Sequence, residues 1–424
     1  MLNYIARQKE FSNRYHRRKV IRNMKIMRQK INILNKLPSI NILKFTSLEF
    51  FFWATLSTYY PFVVVFLMSK GYSSTIIGVI LSINSFVVVI AQPFWGMISD
   101  WVRSVKKVFI LCLSLAACIM LTLPLYQSIL SLIVVFILLT FFESPLVPLM
   151  DSWVIQGIQT EKNIAYGNIR LWGSIGFSLF VYVIGKTLDY VSIHIIFPTF
   201  VVLAIITIFL SSTIKITASA ERIPFKNLKI GRLLKNYYYV TFLLFAVTLF
   251  IPHRASALFL ANLIAHVDGT QEQLGLCFSL MALSEVPIFI FSRQLIKRYK
   301  PVHLILVSTV FFIIRHVLFL YASTPLQAIL LQMLQGPSFA LFLIGTVYYI
   351  NALAPDSLKS TAQTVGSAVF FGVSGIIGSF GGGWIIDNLG LHHMYLLGII
   401  MSAVISILFI LSLFLGKWFN LENI

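Results

Sequence analysis

Residues Leu146–Phe177 read LVPLMDSWVIQGIQTEKNIAYGNIRLWGSIGF. The stretch joins two long apolar runs. Asp151 stands near the end of the first run and Arg170 at the start of the second. Apolar runs of about 20 residues cross a bilayer as helices, so both ions are placed inside adjacent membrane helices. A lone ion in hydrocarbon costs several kcal/mol, which makes an intramembrane ionisable residue functional by default. An acid and a base on neighbouring helices satisfy each other and keep polar capacity for a ligand.

The rest of the chain agrees with a membrane setting. Of 424 residues, 58% are hydrophobic and 11% charged, where soluble proteins carry about 25% charged residues. Mean hydropathy is +0.87. Barrel strands would be about 10 residues long with alternating polarity; no such pattern occurs. The expected fold class is all-α, with twelve spans at roughly 44–68, 76–99, 107–125, 129–156, 168–187, 190–213, 239–263, 272–293, 302–321, 325–353, 360–386 and 391–415.

The connections are short except 214–238, which is polar and basic. It divides the chain into a six-helix bundle over 44–213 and another over 239–415, with tails at 1–43 and 416–424. Eleven Lys or Arg lie between Arg7 and Lys36 against one acid, Glu10. This tail reads as a solvated cytoplasmic segment near anionic lipid.

The net charge of +19 would suggest nucleic acid in a soluble protein. Here the basic residues collect in the tail and in alternate loops, at Arg103, Lys106 and Lys107, at Lys162, at 215–235, at 293–300 and at Lys359. The opposite loops carry little beyond Lys70 and Lys186. That asymmetry places both termini in the cytoplasm and excludes nucleic acid as a partner.

The halves echo each other. Gly173-Ser174 opens a glycine-bearing helix that ends at Gly185-Lys-Thr-Leu-Asp189; Gly366-Ser367 opens one that ends at Gly383-Trp-Ile-Ile-Asp387. Parallel halves with a site at their midplane interface mark one large transporter class. Cys112, Cys118 and Cys277 fall within apolar runs, with no ligand spacing for a metal. Gly185-Lys186-Thr187 resembles the end of a phosphate loop, but position 180 is Phe, so neither ATP nor another cofactor is expected.

Between the second and third spans the chain reads Gln92-Pro-Phe-Trp-Gly96-Met-Ile-Ser-Asp100-Trp-Val-Arg103-Ser-Val-Lys106-Lys107. Gly96 leaves room for a neighbouring helix, and Asp100 suits a helix N-terminus or a loop cation. With this motif the chain resembles the major facilitator superfamily, whose gate stands at this place. The resemblance implies a conformational role for Gly96, Asp100, Arg103 and Lys107, and a fold of two pseudo-symmetric six-helix bundles.

The chain further resembles lactose permease and the oligosaccharide/proton symporters. Tyr59-Tyr-Pro61-Phe62, Pro148-Leu-Met-Asp151 and Tyr166-Gly-Asn-Ile-Arg170-Leu-Trp-Gly173-Ser174-Ile-Gly176-Phe177 carry it. It implies a substrate-binding carboxylate at Asp151, a substrate-binding arginine at Arg170 and an aromatic platform at Phe177, with support for Tyr59. It also implies a proton-coupling arginine at Arg315. One departure stands out. The tenth span reads Leu331-Gln332-Met-Leu-Gln335-Gly-Pro-Ser338, with neutral residues where the permease has a lysine, a histidine and a glutamate. Coupling through those positions is excluded.

Glu143, Asp151 and Glu285 are then the span acids available for coupling, with Glu49 set aside near a membrane edge. A buried carboxylate beside an arginine can exchange proton, substrate and arginine partners. Glu285 suits coupling or an ion pair with Arg315 or Arg254. Glu143, before Ser144-Pro145, marks a helix distortion. Arg254, beside His253 and Pro252, is expected to line a cavity. His316 points about 100° away from Arg315 around its helix.

These readings converge on a proton-coupled symporter of a small polar solute in a bacterial inner membrane. An exporter working by proton antiport is the alternative. A membrane enzyme or sensor is remote, because neither a DDxxD pair nor a protease set occurs.

Overall fold

A computed structural model describes residues 40–157, 166–214, 233, 235–354 and 359–419. The chain divides into compact units at 1–45 and 46–424. Of the first, residues 40–45 are described; they open the helix Ile40–Ser57. The basic segment 215–232 and the tails at 1–39 and 420–424 lie outside the described residues.

The fold is all-α, and no strand occurs among the described residues. Among the described residues, twelve helical spans are long and apolar enough to cross a membrane: Ile42–Ser69, Ser74–Ser99, Val105–Leu125, Ile129–Gly157, Ile169–Leu188, Ile193–Thr213, Tyr237–Leu258, Gln271–Ile290, Pro301–Leu320, Pro325–Leu353, Val365–Leu389 and Leu391–Trp418. Their order matches the hydropathy reading. The helices at the repeat begin earlier than its Gly-Ser pairs, at Tyr166 and Lys359. Gly173 and Gly366 therefore lie inside helices.

Breaks in the spans follow the prolines. The fourth span splits into Ile129–Glu143 and Leu146–Gly157. Pro148 has no N–H to offer the Ser144 carbonyl one turn back; the Gln92 side chain donates to it instead, at 3.1 Å. In the tenth span Pro337 falls in a π-helical turn, Gly336–Ala340, after the 3-10 turn Gln332–Leu334. Such turns recur at functional sites; here both Gln332 and Gln335 reach the ninth span.

The second span packs against the third, fourth and eleventh; the third also packs against the sixth. The seventh packs on the eleventh and twelfth, and the ninth on the tenth and twelfth. An aromatic core of Tyr239, Phe242, Phe245, Phe250, Phe312 and Phe342 fills the space among the seventh, ninth and tenth spans. Large apolar side chains such as Ile407, Phe414 and Phe209 are exposed, as lipid contact requires.

Two extensive contacts cross from the first six spans to the last six, second with eleventh and fifth with eighth, beside a smaller one of the first with the eighth. Each extensive contact is sealed by glycine and by the acid ending the repeat. A Cβ on Gly383 would lie 2.1 Å from the Ser74 carbonyl oxygen, and one on Gly185 2.5 Å from that of Gln271. Asp387 accepts from the backbone N–H groups of Ser74 (3.1 Å) and Thr75 (2.6 Å). Asp189 accepts from those of Gln271 (2.8 Å) and Glu272 (3.2 Å). Both acids therefore cap orphan donors at a partner helix N-terminus.

Candidate functional site

Charged side chains of the first and fifth spans converge at Gly173. A Cβ there would lie 2.4 Å from the Trp53 ring, 2.8 Å from Arg170 Nη1 and 3.0 Å from Glu49 Oε2. The missing side chain is what admits all three. The Arg170 guanidinium lies over the Trp53 indole, 3.9 Å from the ring centroid. Asp151 is in electrostatic range of Arg170 and accepts a 2.5 Å hydrogen bond from the Tyr166 hydroxyl. The structure thus brings Asp151 and Arg170 into one cluster.

Glu49 completes that cluster. Its side chain is 0% exposed, and neither carboxylate oxygen has a hydrogen-bond partner. The sequence reading set it aside at a membrane edge. The helix starts at Ile40, which puts Glu49 about 13 Å along it at 1.5 Å per residue. The signal was a lone acid within an apolar run.

A cavity of ≈ 250 Å³ is lined from both halves of the chain. Its lining includes Tyr60 and Phe177 from the first six spans and His253, Arg254, Gln335 and Phe339 from the last six. Trp53 meets Phe177 edge-on, 6.4 Å between centroids, which joins the Glu49–Arg170 cluster to the cavity wall. Tyr59 does not line it. The chain turns through a short 3-10 helix, Tyr60–Phe62, leaving Tyr59 buried against Phe136 while Tyr60 faces the cavity. The ring that faces the cavity at this turn is therefore that of Tyr60 and not, as expected, that of Tyr59. Glu143 is buried beside the Tyr60 hydroxyl, where the fourth span breaks. Arg254 lines the cavity, as expected, and its Nε has no partner.

On the other side, Arg315 donates to the side-chain oxygens of Gln335 and, at 2.8 Å, Gln332. Gln335 Nε2 donates to Glu285 at 3.1 Å. Glu285 and Arg315 are thus joined through a glutamine; a direct ion pair with Arg315 or Arg254 is one of the two readings the sequence offers, beside a coupling role. These two glutamines occupy the neutral stretch of the tenth span. His316 Nδ1 meets the Phe312 carbonyl at 2.7 Å and takes no part in that relay.

The gate motif is only partly legible. The Asp100 side chain lies outside the described residues. Gly96 was expected to admit a close helix; instead a Cβ there would meet nothing within 4 Å. Gly96 borders a second cavity of ≈ 170 Å³, also lined by Gln92 and Pro148, so here that flank of the second span is open. Arg103 turns the chain with φ +53°. Lys107 is exposed, and its backbone N–H donates to Ser104, the cap of the third span. No group of three or more His, Cys, Asp or Glu suits a metal among the described residues.

The comparisons agree with this architecture. The maltose permease of Geobacillus stearothermophilus is 30% identical over 353 residues, 81% of this chain and 88% of its own length. The uncharacterized transporter YwbF of Bacillus subtilis (strain 168) is 27% identical over 333 residues, 78% of this chain and 82% of its own. The crystal structure of the nucleoside transporter NupG superposes with a TM-score of 0.77 at 18% identity, covering 88% of this chain and 99% of that one; it shows the shared fold. Residues 42–397 match the MFS_1 like family. The chain belongs to that family and is a multi-pass membrane transporter of the major facilitator superfamily.

Proposed function

We propose that the chain is a secondary active transporter that moves a sugar, a nucleoside or a similar polar solute by alternating access, driven by proton symport. The cavity carries the reading: rings from Tyr60, Phe177 and Phe339 stand beside Arg254 and Gln335, from both halves of the chain. Rings stack on the apolar face of a sugar or base, while guanidinium and amide groups bond its hydroxyls. The relatives named for maltose and for nucleosides support the same class.

In this reading the bundles over 44–213 and 239–415 rock about that cavity. The segment 214–238 joins them in the cytoplasm, where both tails also lie, as the basic loops support. Asp151 and Arg170, with Phe177, hold substrate from the first bundle. Arg254, Glu285 and Arg315 set the charge of the second, with Glu143 beside Tyr60. Gly96, Asp100, Arg103 and Lys107 form the cytoplasmic gate, and the bacterial inner membrane is the site of action.

The test is uptake of labelled maltose and of labelled uridine into proteoliposomes under an imposed pH gradient. Accumulation of one of them above empty liposomes is expected, and reversal of the gradient relative to protein orientation separates symport from antiport. Failure of both solutes removes the substrate class. Full transport by both Asp151→Asn and Arg170→Ala removes the site assignment.

A further inference from the structure

We propose that Glu49 takes up and returns the coupled proton, with Arg170 as its movable counter-ion. The inference rests on the proton-coupled reading above and names the group that performs it.

The argument is a charge count. The titratable and charged groups facing Glu49 are Asp151 of the fourth span and Arg170 and Tyr166 of the fifth. Glu285 of the eighth span also faces Arg170, but its carboxylate is bonded by Gln335 and joined through it to Arg315. That pair balances one acid with one base. Glu49 and Asp151 share the single cation Arg170. An unneutralised ion in such surroundings is strongly disfavoured, so the cluster holds one proton.

Geometry then assigns the proton. Asp151 is partly exposed and accepts a 2.5 Å hydrogen bond from the Tyr166 hydroxyl, so a charge on it has a partner. Among the described buried carboxylates, Glu49 alone has both oxygens without a hydrogen-bond partner. Arg170 is held over the Trp53 ring, and neither Glu49 oxygen receives a hydrogen bond from it. Glu49 is therefore the acid built to be neutral in this state.

The same arrangement supplies the switch. If Arg170 leaves Trp53 for Glu49, the carboxylate gains a cation and its proton departs to water by way of the partly exposed Asp151. No bond other than O–H is broken. Because Trp53 meets Phe177 edge-on and Phe177 lines the cavity, a solute seated there acts through Phe177 on the ring that holds Arg170.

Glu49→Gln keeps the shape and removes the titration; Glu49→Asp keeps the titration. Each is reconstituted beside the wild type at equal monodisperse yield. Two transport readouts are compared with maltose and uridine: accumulation under a pH gradient, and exchange of labelled for unlabelled solute at equal pH. Glu49→Gln is expected to lose accumulation disproportionately to exchange, with partial recovery in Glu49→Asp. The infrared absorption of protonated carboxyl groups, followed through a pH titration of the proteoliposomes, is expected to lose a component in Glu49→Gln; in Asp151→Asn, which leaves Arg170 to Glu49 alone, the same component is expected to titrate at lower pH than in the wild type. A wild-type ratio of accumulation to exchange in Glu49→Gln, or persistence of that component, overturns the proposal. If the wild type accumulates neither solute while the component still disappears with Glu49, the transport reading falls and the proton site stands.

Discussion

The Arg170 guanidinium lies over the Trp53 indole, 3.9 Å from its centroid, and not on a carboxylate. A ring quadrupole attracts a cation without neutralising it. Arg170 is thereby stored at a place from which either acid or a solute can take it. A desolvated contact of this kind contributes about 2 kcal/mol. Trp53→Leu is expected to lower uptake at subsaturating solute by about tenfold or more, read as initial rates at matched protein level. Arg170→Ala removes uptake altogether.

Asp151 receives a charge-assisted bond from Tyr166. Bonds to charged groups contribute about 1.5–3 kcal/mol. Tyr166→Phe is expected to weaken solute binding severalfold in a thermal-shift titration, while Asp151→Asn abolishes uptake with its membrane level intact.

Gln335 lies between Glu285 and Arg315 and also lines the cavity. Gln335→Ala leaves both ions without this partner, at about 1–3 kcal/mol for each buried group deprived of one. The expected result is a lower melting temperature of the purified protein together with weaker uptake. Gln332→Ala leaves the Gln335 bridge in place and is expected to shift the melting temperature less.

The seals at Asp189 and Asp387 make a conformational prediction. A lost N-terminal cap costs about 0.5–2 kcal/mol, and a side chain at Gly383 would collide with the Ser74 backbone. Asp387→Ala is expected to shift the protein partly, and Gly383→Leu fully, toward a form open at this end. A cysteine at Val64 on the cavity wall, in a background lacking Cys112, Cys118 and Cys277, reports it. Thiol labelling from that side should rise in both variants. Unchanged labelling in both removes the assignment of these contacts as a gate.

The sequence alone determined the number and order of the spans, because burial in lipid demands long apolar runs and satisfied backbone. The same local reading singled out Asp151 and Arg170, since an ion in such a run is conspicuous whatever surrounds it, while Arg315 came from the family resemblance. Only the tertiary structure decided which ions share a partner. Glu49 differs from an interfacial acid by the helix face it presents and by the absent side chain at Gly173. Tyr60 replaces Tyr59 because a 3-10 turn rotates that face. Gln335 acquires meaning from Arg315 twenty residues away and Glu285 fifty residues away. Hydropathy is a property of a segment, whereas the facing of two side chains depends on how separate helices pack, and that packing is set by the whole chain.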